Sequence, residues 1–212
     1  MSAAVQTGNF VHIVATINME TGEGHILYVN PATVTIASTV AGDPNVEIRA
    51  EDANGTVMYR VNPVVRRSSY DPQQPHAVGL IQADIPQDPT MAAVTLWFKG
   101  QEVSRYQAGE MAPLPPGGVA LSAGPVPDNK PNKRSLTIAA LAQLGPAPGM
   151  TYTIQVKPDT GGPWQTIAVG RQTPQVELDR NQFAGATSAT VRVLRTTGFQ
   201  EEVIAEETLD LS

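Results

Sequence analysis

The sequence predicts an all-β protein built from two β-sandwiches in series. Segments in which apolar and polar residues alternate recur along the whole chain of 212 residues, as expected for half-buried strands. The 18 glycines and 18 prolines separate these segments at strand-length intervals, which is typical of proteins made of many strands and turns. No stretch of about 12 residues shows the i, i+3, i+4, i+7 apolar spacing of a helix. We therefore expect a helix content near zero.

The first half of the chain, residues 1–112, is expected to form the first sandwich. Asn30-Pro31 is predicted to end a strand, because proline has no N–H to donate. Asn54-Gly55 favours a tight hairpin turn, and Gly100-Gln101 is predicted to join the last two strands. The polar stretch 66–76 is predicted to be an exposed loop. The expected strands are residues 10–19, 24–29, 33–40, 46–50, 56–65, 78–85, 93–99 and 102–107.

A Pro/Gly linker at residues 113–118 is predicted to separate this domain from a second one at residues 119–212. Consecutive prolines lack the donors that a sheet requires, so this stretch favours a boundary. The second domain is expected to contain seven strands, which is enough for one sandwich. They are predicted at residues 119–122, 135–141, 151–157, 164–170, 176–178, 189–195 and 200–211.

The clearest hairpin lies in the second half, at residues 150–170. Tyr152, Ile154 and Val156 alternate with polar residues, so they are predicted to share a buried face. Residues 158–163 combine two prolines with two glycines and predict a reversal. The returning strand begins at Trp164, which places a large aromatic side chain near the turn.

The second half resembles fibronectin type III domains. The likeness rests on Leu136-Thr137-Ile138, on Tyr152-Thr153-Ile154-Gln155-Val156 and on Trp164-Gln165-Thr166-Ile167. Two features depart from the family. Ile138 and Ala140 lie in the region of its second-strand tryptophan, and Ala189 stands where the tyrosine of Tyr-x-Val-x-Val is expected. The resemblance implies an immunoglobulin-like or fibronectin type III-like sandwich and does not imply a particular function.

A second resemblance covers most of the chain. It looks like the paired β-sandwich tail of large, uncharacterised bacterial exported proteins, some of which carry a metallopeptidase-like domain ahead of the tail. The resemblance implies a non-catalytic accessory region outside the cytoplasm, and it transfers no functional residues. The segments that carry it are residues 15–24, 152–156, 164–170, 191–194 and 198–199.

The polar residues do not form any of the usual catalytic or metal-binding patterns. The absence of cysteine excludes disulfides, thiolate metal sites and a catalytic thiol, and no Gly-x-Ser-x-Gly or Ser-x-x-Lys nucleophile motif occurs. His12, His25 and His76 lack zinc-site spacing, although a site between His12 and His25 on neighbouring strands is conceivable. Residues 52–55 are the nearest candidate for a calcium loop, yet a hairpin turn explains them. We therefore expect no enzyme activity, no catalytic residues, no metal and no cofactor.

A possible binding surface involves Trp97 together with Tyr70, Arg66 and Arg67. If Trp97 faces outward, it offers a platform for stacking on a sugar or a protein. The alternative is that Trp97 packs on a sandwich core. Arg66, Arg67 and Tyr70 belong to the long polar connection, where their charges could also serve only solubility.

The expected function is that of a non-catalytic accessory or interaction module of a larger bacterial exported protein, either a structural spacer or a protein-binding pair of sandwiches. The alternative is a carbohydrate-binding module that uses exposed aromatic side chains. Expected partners are a neighbouring domain, another protein or a glycan. The net charge of −6 is scattered and forms no basic stripe, so nucleic acid is not expected, and no apolar run is long enough for a membrane span. Secretion, the periplasm or the cell surface is the expected location, although Met1-Ser2-Ala3-Ala4 does not begin a signal peptide.

Overall fold

The computed structural model describes residues 5–36, 40–67, 78–114, 119–123, 133–138 and 147–211. These residues form β-strands and one 3₁₀ turn at Arg180–Gln182. The chain divides into two compact units: unit 1 is Met1–Ala108 with Gly198–Gln200, and unit 2 is Gly109–Thr197 with Glu201–Ser212. Each unit is a β-sandwich, which confirms the predicted fold class of two immunoglobulin-like or fibronectin type III-like sandwiches.

Unit 1 is a sandwich of two four-stranded antiparallel sheets, ordered β2–β1–β6–β5 and β4–β3–β7–β8. Its core joins the inner faces of both sheets into one apolar cluster, as two packed sheets require. The strands are β1 (Val5–Asn18), β2 (Gly24–Ile36), β3 (Val46–Asp52), β4 (Val57–Val61), β5 (Val65–Arg67), β6 (Val78–Pro86), β7 (Met91–Phe98) and β8 (Gln101–Gln107).

Alternation decides which side chains enter this core. The spacing of Val46, Ile48 and Ala50 in the expected strand 46–50 predicts that they share one face, and all three are at most 1% exposed. The residues between them point to the opposite face, which is the outer face of the sheet. The same rule holds for the core side chains Val11, Ile13, Ala15 and Ile17 of β1 and for Val94, Leu96 and Phe98 of β7. Met91 at the start of β7 also enters the core, beyond a register shift against β3.

Several predicted strand boundaries in unit 1 are wrong, and a proline is involved in two of these cases. Strand β1 begins at Val5 rather than at residue 10, and β5 includes Arg66 and Arg67, which were predicted to lie in a loop. Strand β2 continues through Asn30-Pro31 to Ile36, because β2 is an edge strand and Pro31 does not need to donate to a further neighbour. The single strand predicted at residues 56–65 is two strands, β4 and β5, which lie in different sheets. The chain crosses between the sheets around Pro63, which cannot donate a ladder hydrogen bond.

Strand order in unit 1 differs from that of an immunoglobulin sandwich in one place. There the first strand lies at a sheet edge and the second lies inside; here β1 lies inside and β2 lies at the edge. The sequence accounts for this exchange. Strand β1 buries Val14 on its outer face in addition to its core side chains, whereas β2 contains the proline that only an edge tolerates.

Unit 2 has the strand order of a fibronectin type III domain. A three-stranded sheet β13–β10–β9 faces a four-stranded sheet β12–β11–β14–β15, and one apolar cluster joins them. Ala189, which occupies the expected tyrosine position, is 1% exposed and belongs to this core. The strands are β9 (Leu121–Ala123), β10 (Lys133–Ile138), β11 (Thr151–Pro158), β12 (Gln165–Arg171), β13 (Val176–Asp179), β14 (Ser188–Thr196) and β15 (Glu201–Asp210).

The hairpin β11–β12 confirms the predicted buried face of Tyr152, Ile154 and Val156, which are 5%, 0% and 0% exposed. The alternation of β12 is interrupted by two register shifts against β11. As a result, the adjacent residues Ile167 and Ala168 both pack against the core, although strict alternation would place them on opposite faces. An extra residue at each shift re-aims the side chains that follow it.

Candidate functional site

The outer face of the sheet β4–β3–β7–β8 carries a connected set of polar side chains, which we call the unit 1 face. Alternation places these residues outward because their neighbours fill the core. Cross-strand pairing then brings Glu47 opposite Trp97 and Arg49 opposite Thr95. The unit 1 face consists of Glu47, Arg49, Glu51, Thr95, Trp97, Glu102 and Arg105.

One chain of hydrogen bonds runs across this face from Trp97 to Arg105. The Trp97 indole Nε1 donates to Thr95 Oγ1 over 2.8 Å, and Thr95 Oγ1 donates to Glu51 Oε1 over 3.1 Å. Arg105 Nη1 donates to the other Glu51 oxygen over 2.9 Å. Although they lie on an outer face, Thr95 is 0% and Glu51 4% exposed. The face therefore shields its own polar groups from water.

The arginines close the unit 1 face at both ends. The Arg49 guanidinium lies 3.7 Å above the centre of the Trp97 ring and pairs with Glu47. Arg105 holds Glu102 with two parallel hydrogen bonds of 2.9 Å, and these bonds, together with the Glu51 carboxylate, raise the pKa of Arg105. Each arginine thus has a carboxylate partner, and the Trp97 ring is covered rather than presented to solvent.

The outer face of the sheet β12–β11–β14–β15 has a related arrangement, which we call the unit 2 face: Gln155, Trp164, Thr166, Thr190, Arg192 and Thr208. The Arg192 guanidinium lies 4.1 Å from the centre of the Trp164 ring. Arg192 Nε donates to Gln155 Oε1 over 2.7 Å, and Gln155 Nε2 donates to Thr166 Oγ1 over 3.1 Å. This face also combines an arginine with a tryptophan, but the groups that hold the arginine are neutral.

Charge pairing distinguishes the two faces. Glu206 lies directly opposite Arg192 in the β14–β15 pairing, yet it is exposed. Among the residues that the structure describes, no carboxylate oxygen lies within 4.0 Å of the Arg192 guanidinium. The two Nη groups of Arg192 therefore keep N–H donors available for water or a partner.

The structure separates the residues of the predicted binding surface. Trp97 is half-buried on β7 in the unit 1 face, whereas Arg66 and Arg67 are exposed on β5, an edge strand of the opposite sheet. Tyr70 lies outside the described residues, as do His76 and linker residues 115–118. A role for Trp97, Tyr70, Arg66 and Arg67 in binding stays a prediction.

His12 and His25 do not meet. His12 pairs with Asn30 across β1–β2, whereas His25 pairs with Thr16. The His12 ring instead contacts Asp84, with 2.5 Å between Nδ1 and Oδ1, and the second Asp84 oxygen accepts a 2.6 Å hydrogen bond from Thr35 Oγ1. Asp84 thereby links three strands of one sheet, and no group of three His, Asp or Glu side chains suited to a metal occurs within the described ranges.

The turn proposed as the nearest calcium candidate uses its carboxylate internally. Asp52 Oδ1 accepts 2.8 Å hydrogen bonds from the backbone N–H groups of Asn54 and Thr56. The bond from Thr56 is the main cause that lowers the pKa of Asp52. The Gly55 N–H closes the turn on Asp52 O over 3.0 Å, and Gly55 itself adopts φ +80°, a left-handed conformation that favours glycine. The hairpin therefore accounts for the residue types at 52–55.

Sequence reasoning missed Arg49 and Arg192, although a signal for both existed. Each stands between two core residues on a central strand, in Ile48-Arg49-Ala50 and in Val191-Arg192-Val193. Alternation therefore places both on an outer face. What the pattern did not show is that the register brings each arginine onto a tryptophan.

Comparisons with known proteins add little to this description. No protein-family model matches the chain, and no curated protein matches it either. A segment of two fibronectin type III domains from chicken tenascin aligns over 98% of both chains with 9% identity and a TM-score of 0.32. The assignment of the fold therefore rests on the sheets and their strand order. No helix among the described residues has the length and apolar character needed to cross a membrane.

Proposed function

We propose that this chain is a non-catalytic accessory or interaction module of a larger bacterial exported protein, in which two sandwiches act as a spacer or as a protein-binding pair. The proposal places the module in the secreted, periplasmic or cell-surface compartment. Its partner is a neighbouring domain of a longer chain or another protein. The fold is compatible with this role. Because sandwiches of this type host many functions, the proposal has to be argued from the site.

The observation that carries the proposal is the difference between the two outer faces. On the unit 1 face, Arg49 and Arg105 are paired with carboxylates, so the groups that could bind a ligand already bind one another. On the unit 2 face, Arg192 stacks on Trp164 and is held by an amide. We assign the unit 1 face to stability and the unit 2 face to contact with a protein partner, because tryptophan and arginine are enriched where proteins bind each other.

A panel of generic esterase, protease and glycosidase substrates tests the non-catalytic part of the proposal. We expect no turnover above a sample without protein. Turnover that is lost on changing a single residue, such as Asp84→Asn or His12→Gln, would show that the chain is an enzyme. The Arg66→Gln variant is a suitable control, because it changes an exposed side chain that contacts neither residue of that pair.

A second candidate function is carbohydrate binding, and Trp164 is the observation that favours it. Trp164 lies beside the amide of Gln155 and the hydroxyl of Thr166, which can donate to and accept from sugar hydroxyls. Trp97 offers less, because its indole N–H already donates to Thr95 and the arginine on its ring is paired with Glu47. Among the other aromatics, the Tyr106 ring packs edge-on against Phe199 at 6.2 Å between centroids.

The two tryptophans of the chain allow these candidates to be separated by fluorescence. In Trp97→Phe only Trp164 emits, and in Trp164→Phe only Trp97 emits. A protein-binding module predicts that soluble polysaccharides leave acrylamide quenching of both variants unchanged. Protection of Trp164 by one polysaccharide, with Trp97 unaffected, would replace the proposal by the carbohydrate-binding alternative.

A further inference from the structure

Residues 109–114 are attached to unit 2 at several points, although they include the start of the predicted linker. The Gly109 N–H donates to Gly149 O over 2.8 Å. The backbone approaches so closely here that a Cβ on Gly109 would lie 2.4 Å from Pro148 O, which only glycine avoids. At the other end, Leu114 packs against the core of unit 2.

The central attachment is Arg195 on β14. Its side chain is 5% exposed, and its Nη2 donates to the carbonyl oxygen of Ala112 over 2.6 Å. The same nitrogen pairs with the Glu202 carboxylate, while Arg195 Nε is buried without a partner. A buried guanidinium costs free energy unless it is paired and hydrogen-bonded. The hydrogen bond from Arg195 to Ala112 therefore offsets part of the cost of burying this side chain.

We propose that residues 109–114 form a strap on unit 2 and that Arg195 is its fastening. Glu202 orients the Arg195 guanidinium, and the guanidinium holds the Ala112 carbonyl. A hydrogen bond from a charged donor is about twice as strong as one from a neutral donor, so Arg195 is a strong partner for the Ala112 carbonyl. Loss of the fastening releases the strap while the sheet β12–β11–β14–β15 stays folded.

Hydrogen–deuterium exchange on the full chain tests this inference, with Arg195→Met as the main variant. Methionine keeps much of the apolar stem and packs in irregular gaps, and Glu202, whose side chain is 38% exposed, can turn to water. We expect exchange in residues 109–114 to rise by about 10- to 100-fold, the factor that corresponds to one hydrogen bond to a charged group. Exchange in β11 and β14 should stay unchanged.

Arg192→Met is the matched control, because Arg192 lies on the same strand but on the outer face. It should leave the exchange of residues 109–114 at the wild-type rate. Arg195→Lys, which keeps the charge without the planar fork, should give an intermediate rate and serves as the test if the methionine variant does not fold.

Three results would overturn the inference. Residues 109–114 could exchange at free-peptide rates in the wild-type chain, or their exchange could be the same in Arg195→Met. Alternatively, β11 and β14 could lose protection together with residues 109–114, in which case Arg195 supports the whole sandwich and does not fasten a strap. None of these results depends on whether the chain binds a partner.

Discussion

The unit 1 face and the unit 2 face use the same pair of side chains, an arginine on a tryptophan, in two different electrical settings. In unit 1 the Arg49–Trp97 stack continues into a network whose carboxylates, including the buried Glu51, all have partners. In unit 2 the Arg192–Trp164 stack is bordered by an amide and hydroxyls. An aromatic side chain on a sheet surface is therefore not by itself a binding platform, since its neighbours decide whether its ring is available.

The difference should appear first as unequal stability effects of equivalent changes. Arg105→Met in unit 1 would leave the Glu51 carboxylate buried with Thr95 alone. Loss of one partner of a buried pair is strongly destabilising, but the Arg105 side chain is 41% exposed and water can partly replace it. We therefore expect unit 1 to lose about 2–4 kcal/mol of unfolding free energy.

Arg192→Met is the counterpart in unit 2 and should cost about 1 kcal/mol or less, because it leaves no buried charge behind. Urea denaturation measures both changes separately. Trp97 fluorescence in a Trp164→Phe background reports unit 1, and Trp164 fluorescence in a Trp97→Phe background reports unit 2. Equal losses of unfolding free energy in the two units would mean that Arg105 has no more stabilising a set of partners on the unit 1 face than Arg192 has on the unit 2 face.

A smaller effect is expected at the hydroxyls within the two networks. Thr95→Val removes the acceptor of the Trp97 indole and the donor to Glu51 without changing the shape of the side chain. It should destabilise unit 1 by about 1–3 kcal/mol, because buried groups lose their partners. Thr166→Val, at an exposed position, should change unit 2 by less than about 0.5 kcal/mol. If Thr95→Val leaves the unfolding free energy of unit 1 unchanged in urea denaturation, this would show that water already reaches the Glu51 carboxylate.

The sequence can predict those parts of this contrast that depend on residues close together in the chain, and it cannot predict those that depend on residues far apart in the chain. Alternation along one strand predicted the core positions of β3 and β11 correctly, since it needs only neighbouring residues. The pairing of Arg49 with Trp97 depends on the register between β3 and β7, whose residues lie almost 50 positions apart. No local pattern encodes that register.

Pro31 shows the other limit of the sequence signal. As a local rule, proline ends a strand, and this rule predicted a break in β2. The structure keeps the strand because β2 lies at a sheet edge, where the missing N–H has no consequence. Edge or interior placement is a property of the whole sheet, so the same residue type has opposite meanings in the two settings.

Acid is expected to affect both units through their turn carboxylates. Hydrogen bonds from Thr56, Thr90 and Thr187 are the leading causes that lower the pKa values of Asp52 and Asp88 in unit 1 and of Asp159 in unit 2. The unfolded chain then binds more protons than the folded one, so stability is present above about pH 4 and falls as the pH drops through the lowered pKa values.

Urea midpoints measured between pH 6 and pH 2.5 test this dependence. Asp159→Asn should flatten the acid decline of unit 2 and leave that of unit 1 unchanged, whereas Asp52→Asn should do the reverse. Asparagine suits this comparison, because it can keep the turn geometry without the ionisable group. An acid decline that is the same with and without these changes would assign it to other carboxylates.

The smallest effect concerns the stacks themselves and requires Arg49→Lys and Arg192→Lys. Lysine keeps the charge but loses the flat guanidinium that lies on the ring, and stacking at exposed sites contributes about 0.5–1 kcal/mol. In unit 1 the ammonium can still reach Glu47, so part of the stabilisation should survive. In unit 2 the carboxylate opposite position 192, that of Glu206, is exposed and forms no ion pair with Arg192 among the described residues, so lysine should leave Trp164 more accessible. Acrylamide quenching should therefore rise more for Trp164 in Arg192→Lys than for Trp97 in Arg49→Lys. The opposite order would show that the pairing with Glu47 does not keep the lysine over Trp97.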